Sequence, residues 1–177
     1  MRITLLLAML FPLYALSQHS FYNIVVKSIA GRPVSMEEFR GKKVIVFVVS
    51  PANLKSGQLG YLDSLQIKNK SVKIVAIPAA DFRGATDSVV IEDVKKNVAL
   101  SMLVTTIESV KKSNGSKQNA LTSWLTRAAA NTHFDLDVTT DNQVYCISES
   151  GILFAVMEKG YSASLLNSLI AQPEISQ

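Results

Sequence analysis

Two apolar segments on either side of a helical pattern constrain this chain more than any other feature of its sequence. Residues 44–50 (VIVFVVS) and 72–78 (VKIVAIP) are nearly continuous runs of β-branched and other apolar side chains. Such runs are typical of strands that are buried on both faces of a parallel sheet. Between them, leucines at roughly helical spacing predict a helix that ends near Ile67. Together these segments predict a βαβ unit, whose strands are parallel and joined by a right-handed crossover.

The segments that flank this unit predict further strands and helices. FYNIVVKSI (21–29) and residues 33–35 predict an N-terminal hairpin. Ser35 and Glu38 then form a capping-box pattern, which starts a single helical turn. The remaining predicted elements are a helix at 89–98, a strand at 102–107, a surface loop at 110–119, a helix at 120–130, a strand pair formed by QVYCIS and ILFAVM, and a closing helix before Pro173. This order predicts an α/β fold with antiparallel strands at one edge of the sheet.

The first seventeen residues have the pattern of a secretory signal peptide. Arg2 gives a positive start, and ITLLLAMLFPLYAL is an apolar run too short and too interrupted by proline to span a bilayer. Ala15-Leu16-Ser17 fits the small-x-small cleavage pattern. We therefore expect 1–17 to be a signal peptide and 18–177 to be one exported domain, periplasmic or extracellular, without a membrane span after cleavage. A retained N-terminal anchor is the alternative, because signal peptides and anchors overlap in length.

The charge of the chain does not favour nucleic acid as a partner. The formal net charge of +4 is mild, and loss of Arg2 with the signal peptide would lower it to +3. The lysine pairs are scattered, without the interleaved aromatic residues of a nucleic-acid-binding stripe. These pairs, which we expect to lie on solvated surfaces, are Lys42-Lys43, Lys95-Lys96 and Lys111-Lys112.

Cys146 is the only cysteine of the sequence, so the chain can form neither an internal disulfide nor a redox-active pair. It lies in the predicted strand QVYCIS, where a cysteine behaves as a small apolar residue of the core. We therefore expect it to be buried. An exposed thiol that forms an intermolecular disulfide or senses oxidants is the alternative.

Two other sets of polar residues have the composition of a candidate site. His133, Asp135 and Asp137 form an H-x-D-x-D pattern, which would place all three side chains on one face of a strand. Metal sites usually draw ligands from more than one segment, so we expect a polar loop and no metal here. Ser50 and Ser56 lack the G-x-S-x-G context of a hydrolase nucleophile, and a triad with His133 is not expected.

The element order and several sequence strings resemble the glutathione peroxidase family of the thioredoxin fold. The strings resemble, in order, the family's opening strand and Gly-x-Pro-Val-Ser turn, its Phe-Pro-Cys-Asn-Gln-Phe-Gly segment, its Asn-Gly loop and helix, and its closing strand pair. They are FYNIVVKSIAGRPVSMEEFRGKKVIVFVVS, IPAADFRG, SNGSKQNALTSWLT and QVYCISESGILFAVM, within about residues 20–171. The resemblance implies a thioredoxin-like mixed sheet flanked by helices, with an N-terminal β-hairpin.

The same resemblance implies that the peroxidatic nucleophile is absent. The family uses a Cys or selenocysteine that attacks peroxide, within a Ser-x-Cys-Gly-Leu motif. That motif falls on 50–54 of this chain and places Ala52 at the position of the nucleophile. A shift of one residue would place Asn53 there instead, and neither side chain can be oxidised and reduced.

The partners of the nucleophile are also changed. The position of the family's Gln falls on Asp81, and that of its Trp falls on Asp141, or on Thr140 if the gap is placed differently. Only Asn142 keeps the family residue. Since ligands of open α/β sheets bind at the carboxyl ends of the strands, we expect Ala52, Asp81 and Asn142 to converge there.

These substitutions decide the expected function, because a thiolate is the nucleophile of thiol peroxidases. We expect a degenerate active site, no cofactor, and a non-catalytic binding or structural module for a protein or small-molecule ligand that the sequence does not name. The alternative is a thiol-dependent peroxidase or oxidoreductase of the glutathione peroxidase family. It would act in the oxidative-stress response through a non-standard site lined by Asp81, Asp141 and Asn142.

Overall fold

The predicted βαβ unit is present in the structure, a computed structural model that describes residues 20–51, 57–82, 92 and 101–174. Strands β3 (Lys43–Val49) and β4 (Val72–Pro78) are parallel neighbours, paired in register over their whole length. Helix α1 (Gly57–Lys68) lies between them in sequence. The predicted parallel pairing of the two apolar runs is thus confirmed, and the right-handed crossover stays a prediction.

The βαβ unit belongs to a five-stranded mixed sheet with the strand order β5-β4-β3-β6-β7. Strand β5 (Leu103–Val104) is parallel to β4. Strands β6 (Gln143–Ile147) and β7 (Leu153–Met157) form an antiparallel pair, and β6 is also antiparallel to β3. A separate two-stranded hairpin precedes the sheet, made of β1 (Val25–Lys27) and β2 (Pro33–Ser35). The predicted mixed α/β fold with an N-terminal hairpin is confirmed.

Two predicted strands are shorter than the sequence pattern suggested. Residues Phe21–Asn23 form a 3-10 helix, because the Ser20 side chain accepts a hydrogen bond from the backbone of Tyr22. The segment 102–107 pairs as a ladder only at β5. Beyond it the backbone N–H of Thr105 donates to Ala76, whereas that of Thr106 donates to Lys27 of the hairpin. The remaining pairings of this segment are isolated bridges, Ser28 with Thr105 and Ala79 with Glu108, rather than a continuous ladder.

The predicted helix at 120–130 is two helices, α2 (Ala120–Thr126) and α3 (Ala128–Asn131). They are separated at Arg127, whose backbone is extended (φ −120°, ψ 117°). The predicted loop at 110–119 contains a 3-10 segment, Lys112–Lys117. The capping box of Ser35 and Glu38 is formed as predicted and starts the 3-10 turn Met36–Phe39. The predicted helix at 89–98 lies outside the described residues except for Glu92, which is helical.

The core lies on both faces of the sheet, because every residue of β3 is buried. Alternate residues of β3 point to opposite faces. Val44, Val46 and Val48 pack in the cluster that contains Phe21, Leu121, Trp124 and Tyr145. Ile45, Phe47 and Val49 pack in the cluster that contains Leu62 and Leu65 of α1 and Leu166 of helix α4 (Ala163–Ala171). Across the described part of the chain, no helix has the length and apolarity needed to cross a bilayer.

Candidate functional site

The carboxyl end of β3 is joined to the turn that precedes β6. The backbone N–H of Ser50 donates a hydrogen bond to Oδ1 of Asp141 at 2.7 Å. The backbone N–H of Asn142 donates to the carbonyl oxygen of Val48 at 2.8 Å. Asp141 and Asn142 therefore lie at the edge of the sheet where open α/β folds bind their ligands.

Asn142 makes this turn sharp enough for the chain to enter β6. Its φ of 67° lies in the left-handed region, where asparagine is tolerated better than most residues. The next residue, Gln143, is 1% exposed and fixes the loop that leads into the turn. Its Oε1 accepts from the backbone of Thr139 at 2.9 Å, and its Nε2 donates to the carbonyl of Asp137 at 3.0 Å. This buried amide was not anticipated from the sequence.

Asp81 follows β4 and binds a different loop from Asp141. Its Oδ2 accepts a hydrogen bond from the backbone N–H of Val110 at 2.6 Å, and its Oδ1 accepts from Nδ2 of Asn114 at 2.7 Å. Partial burial alone would raise the pKa of Asp81. The hydrogen bonds from Asn114, Val110 and Lys111, with the positive charge of Lys111, outweigh burial and hold the pKa of this carboxyl below its ordinary value.

The structure thus brings together only part of the site implied by the resemblance. Asp141 and Asn142 lie together at the end of β3, whereas the carboxylate of Asp81 is bound to the 110–114 loop. Thr140 accepts a hydrogen bond from the backbone of Lys159, at 3.4 Å. Ala52 and Asn53 lie outside the described residues. Convergence of Ala52 with Asp81 and Asn142 therefore stays a prediction.

Cys146 lies in the middle of the sheet, as predicted for a core residue. It pairs with Ile45 of β3 on one side and with Ala155 of β7 on the other, and its exposed fraction is 0%. Burial raises the pKa of its thiol to about 12, and the charge of Lys43 lowers it only in part. The sulfur is therefore a neutral thiol at physiological pH, and a neutral thiol is a poor nucleophile.

The H-x-D-x-D segment is not a strand, so its side chains do not share a face in the way that alternation would give. Asp135 accepts from the Lys112 ammonium at 2.7 Å, and Asp137 accepts from the Lys112 backbone N–H at 2.9 Å. Nδ1 of His133 lies 2.8 Å from Oγ1 of Thr132. No group of three or more metal-ligating side chains occurs within residues 20–51, 57–82, 92 and 101–174. Ser56, which also lacks the G-x-S-x-G context, lies outside these ranges.

The expectation that Lys43 lies on a solvated surface is wrong. Lys43 is 3% exposed, and its ammonium group donates to the carbonyl oxygens at the end of α4: Ile170 at 3.0 Å, Gln172 at 2.5 Å and, more weakly, Leu169 at 3.4 Å. The last carbonyls of a helix have no partners within the helix and carry partial negative charge. A lysine as the first residue of a fully apolar strand was the sequence signal for this burial.

Comparison with known proteins identifies the fold. No protein-family model matches the chain, and no curated protein is significantly similar to it in sequence. Solved structures do match. Trgpx in its apo form superposes with a TM-score of 0.62 at 14% identity, over 85% of this chain and 93% of that one. GPX1 of T. cruzi superposes with a TM-score of 0.61 at 17% identity, over 85% and 94%. The fold is thioredoxin-like, as in the glutathione peroxidases.

Thioredoxin-like disulfide oxidoreductases share this fold. A secreted Mycobacterium tuberculosis disulfide oxidoreductase, homologous to E. coli DsbE, superposes with a TM-score of 0.53 at 13% identity, covering 85% of this chain and 96% of that one. The thioredoxin-like architecture implied by the sequence strings is therefore confirmed. Identities of 13–17% establish the fold alone, so activity has to be argued from the residues of this chain.

Proposed function

We propose that this protein is an exported thioredoxin-like module of glutathione peroxidase type that binds a partner without thiol redox turnover. The observation that carries the proposal is the state of its single sulfur. Cys146 is fully buried in the central sheet, and burial raises the pKa of its thiol to about 12. Thiol peroxidases need an accessible thiolate, and the sequence resemblance assigns the family's position for it to Ala52, or to Asn53 after a shift of one residue.

The polar residues at the carboxyl ends of β3 and β4 support a structural or binding role. The carboxylate of Asp141 accepts from the backbone of Ser50, and that of Asp81 accepts from Val110 and Asn114. Both carboxylates thus use protein donors to hold loops in place. In an enzyme of this fold, the same edge would present groups that act on the substrate. Here the edge forms a fixed polar surface, on which a protein or a small molecule binds.

A peroxidase assay tests the absence of turnover. Hydrogen peroxide or a lipid hydroperoxide is supplied with glutathione or with thioredoxin and its reductase, and consumption is followed with native protein, with Cys146→Ala and with Asp141→Asn. We expect no consumption above the protein-free rate. Turnover that is lost in Cys146→Ala would overturn the proposal in favour of a cysteine enzyme. Turnover that survives Cys146→Ala but is lost in Asp141→Asn would overturn it in favour of a non-standard site.

Ala52→Cys in the Cys146→Ala background supplies a matched gain-of-function variant. The new thiol would precede α1, where a helix N-terminus favours a thiolate. Without the family's Gln and Trp we expect at most slow oxidation by peroxide, measurable by stopped flow. Adding Asp81→Gln and Asp141→Trp should make oxidation faster. Equal rates for the variant with and without these two changes would show that Asp81 and Asp141 do not line the pocket.

Thiol-dependent peroxidase activity is the second candidate function. The observation that favours it is the match to two glutathione peroxidase structures over 93% and 94% of their length. The same assay distinguishes the two candidates, since only this one gives turnover with native protein.

The proposal that the protein is exported rests on its N-terminal sequence. One similar structure is that of a secreted oxidoreductase. We expect a bacterial host to release the protein from the cytoplasm with Gln18 as its first residue. N-terminal sequencing and mass spectrometry of the released fraction measure this. Recovery of the intact N-terminus in the membrane fraction would instead support a retained anchor.

A further inference from the structure

A group of lysines from three adjacent segments lies at the edge of the sheet formed by the amino-terminal ends of β3 and β4. This edge is opposite the one at which Asp141 lies. This group, called the lysine edge below, consists of Lys42, Lys68, Lys70 and Lys73. Lys68 and Lys70 are exposed, and Lys42 and Lys73 are half-buried. We propose that the lysine edge binds the surface of an anionic lipid bilayer. This proposal stands whether or not the opposite edge is catalytic.

Strand register brings the lysines together. Val44 lies opposite Lys73 in the parallel pair of β3 and β4, and Lys42 is two residues before Val44. The backbone N–H of Lys43 donates to the carbonyl of Ser71 at 3.2 Å, so the residues on either side of this bond, Lys42 and Lys70, are close in space.

A tight turn adds Lys68 to the group. Helix α1 ends at Lys68, and the backbone N–H of Val72 donates to the carbonyl of Asn69 at 3.0 Å. This bond closes the connection between α1 and β4 on the same edge. The charges of the lysine edge are therefore held by backbone structure rather than by a long loop.

The acidic residues near this edge interact with groups other than its four lysines. Glu37 is paired with Arg40 at 2.6 Å, Glu149 faces the buried Lys43 at 3.8 Å, and Glu38 accepts from the backbone of Ser35. Among the described residues, none forms an ion pair with a member of the lysine edge. The four lysines of the edge therefore lie outside the ion pairs of the described chain.

The apolar neighbour of the lysines favours a bilayer over a nucleic acid. Ile67, adjacent to Lys68, is 60% exposed. Basic side chains at the same end of the molecule as an exposed aliphatic residue suit the interface of an anionic membrane, where charge attracts and the apolar side chain inserts. Single-stranded nucleic acids are bound instead by aromatic side chains that stack on the bases. The exposed large apolar residue next to these lysines is aliphatic.

The path of the chain agrees with this orientation. The described part begins at Ser20, and the hydroxyl of Tyr22 donates to the carbonyl of Glu149 at 2.6 Å. The same carbonyl accepts from the backbone of Gly41, at the start of β3. Tyr22, near the start of the described chain, therefore lies on the side of the lysine edge. The opposite edge, roughly 20 Å away along β3, would face away from the bilayer.

Vesicle binding by the full chain tests the proposal. Because the apolar residues 3–16 would add an affinity for lipid of their own, the measured quantity is the ratio of partition coefficients between vesicles with phosphatidylglycerol and vesicles of phosphatidylcholine alone. The edge variant replaces Lys42, Lys68, Lys70 and Lys73 with Gln. A control variant replaces Lys27, Arg32, Lys117 and Lys159 with Gln. These four residues are exposed elsewhere on the protein, so the control has the same net charge as the edge variant. Circular dichroism is used to check that both variants are folded.

We expect the ratio to fall at least about tenfold in the edge variant and less than about twofold in the control, given the attraction of each lysine to an anionic surface. Raising the salt concentration should remove the difference between native protein and edge variant. Ile67→Ser should weaken binding to phosphatidylglycerol vesicles without changing retention on a polyanionic resin. Equal ratios for the edge and control variants would overturn the proposal. So would edge-dependent binding of DNA oligonucleotides with no edge-dependent binding of vesicles.

Discussion

Lys43 illustrates, at the scale of a single residue, how a charge is retained inside an apolar core. Its ammonium group meets the carbonyl oxygens of Ile170 and Gln172, and the carboxylate of Glu149 lies 3.8 Å away. A buried cation is costly unless donors are matched by acceptors. The end of α4 supplies these acceptors, so Lys43 fastens the last helix to the first strand of the sheet.

Lys43→Met should destabilise the protein, because the carbonyls at the end of α4 lose their donor and Glu149 loses its partner. We expect a loss of about 2–3 kcal/mol in the free energy of unfolding, measured by urea denaturation. Lys42→Met is the matched control, since Lys42 is half-buried, next in sequence, and in no ion pair within the described chain. An equal loss in the two variants would contradict the role given to the Lys43 ammonium.

At the scale of elements, the β6–β7 hairpin depends on close contact with the start of the chain. Gly151, in the turn of this hairpin, has a φ of 84°. A Cβ atom at this position would lie 2.7 Å from a carbon of the Tyr22 ring. The Tyr22 ring is itself held by its hydroxyl, which donates to Glu149, and by Arg40, whose guanidinium lies 4.0 Å from the ring centroid.

Gly151→Ala should therefore cost more than backbone strain alone. Gly160→Ala is the control, because Gly160 also has a positive φ, of 101°, but no atom would lie within 4 Å of its Cβ. We expect a loss of about 1 kcal/mol for Gly160→Ala and of about 2–4 kcal/mol for Gly151→Ala, both from denaturant midpoints. Similar losses would show that the Tyr22 ring moves aside at little cost.

The elements that could be predicted from the sequence are those whose burial leaves a local pattern. Continuous apolar runs located β3 and β4, and the capping residues Ser35 and Glu38 located their 3-10 turn. The extended backbone at Arg127 could not be predicted, because the alanines that follow it favour helix. Its guanidinium binds Gln118 and, at 2.6 Å, Ser123, and these contacts come from tertiary structure.

The site was predicted less completely than the fold, because its contacts join elements that are distant in sequence. Position in the sequence located Asp81 and Asp141 after strands, but it could not indicate which backbone N–H each carboxylate would accept from. Asp81 binds the loop at Val110, and Asp141 binds Ser50 across the edge of the sheet. Partners of this kind are far apart in sequence, and only the packing of loops defines them.

At the scale of the whole molecule, the free energy of unfolding should depend on pH through the carboxyl group of Asp81. The pKa of this carboxyl is held below its ordinary value, so its contribution is complete above that value and is lost as the pH falls through the lowered pKa. Asp81→Asn should cost about 1 kcal/mol at pH 7, and the difference from native protein should shrink below about pH 4. Asn114→Ala should reproduce part of this change. Urea titrations between pH 2.5 and 7 provide the measurement, and a difference that does not vary with pH would contradict it.

The buried position of Cys146 also makes the molecule a reporter of its own opening. A thiol reagent such as dithiobis(nitrobenzoate) can reach a sulfur between β3 and β7 only when the sheet separates. Labelling of the native protein should therefore be slow, and the free energy of opening derived from its rate should equal that of global unfolding. Because the chain has one cysteine, each labelled molecule reports one opening of the sheet, and no engineered probe is needed.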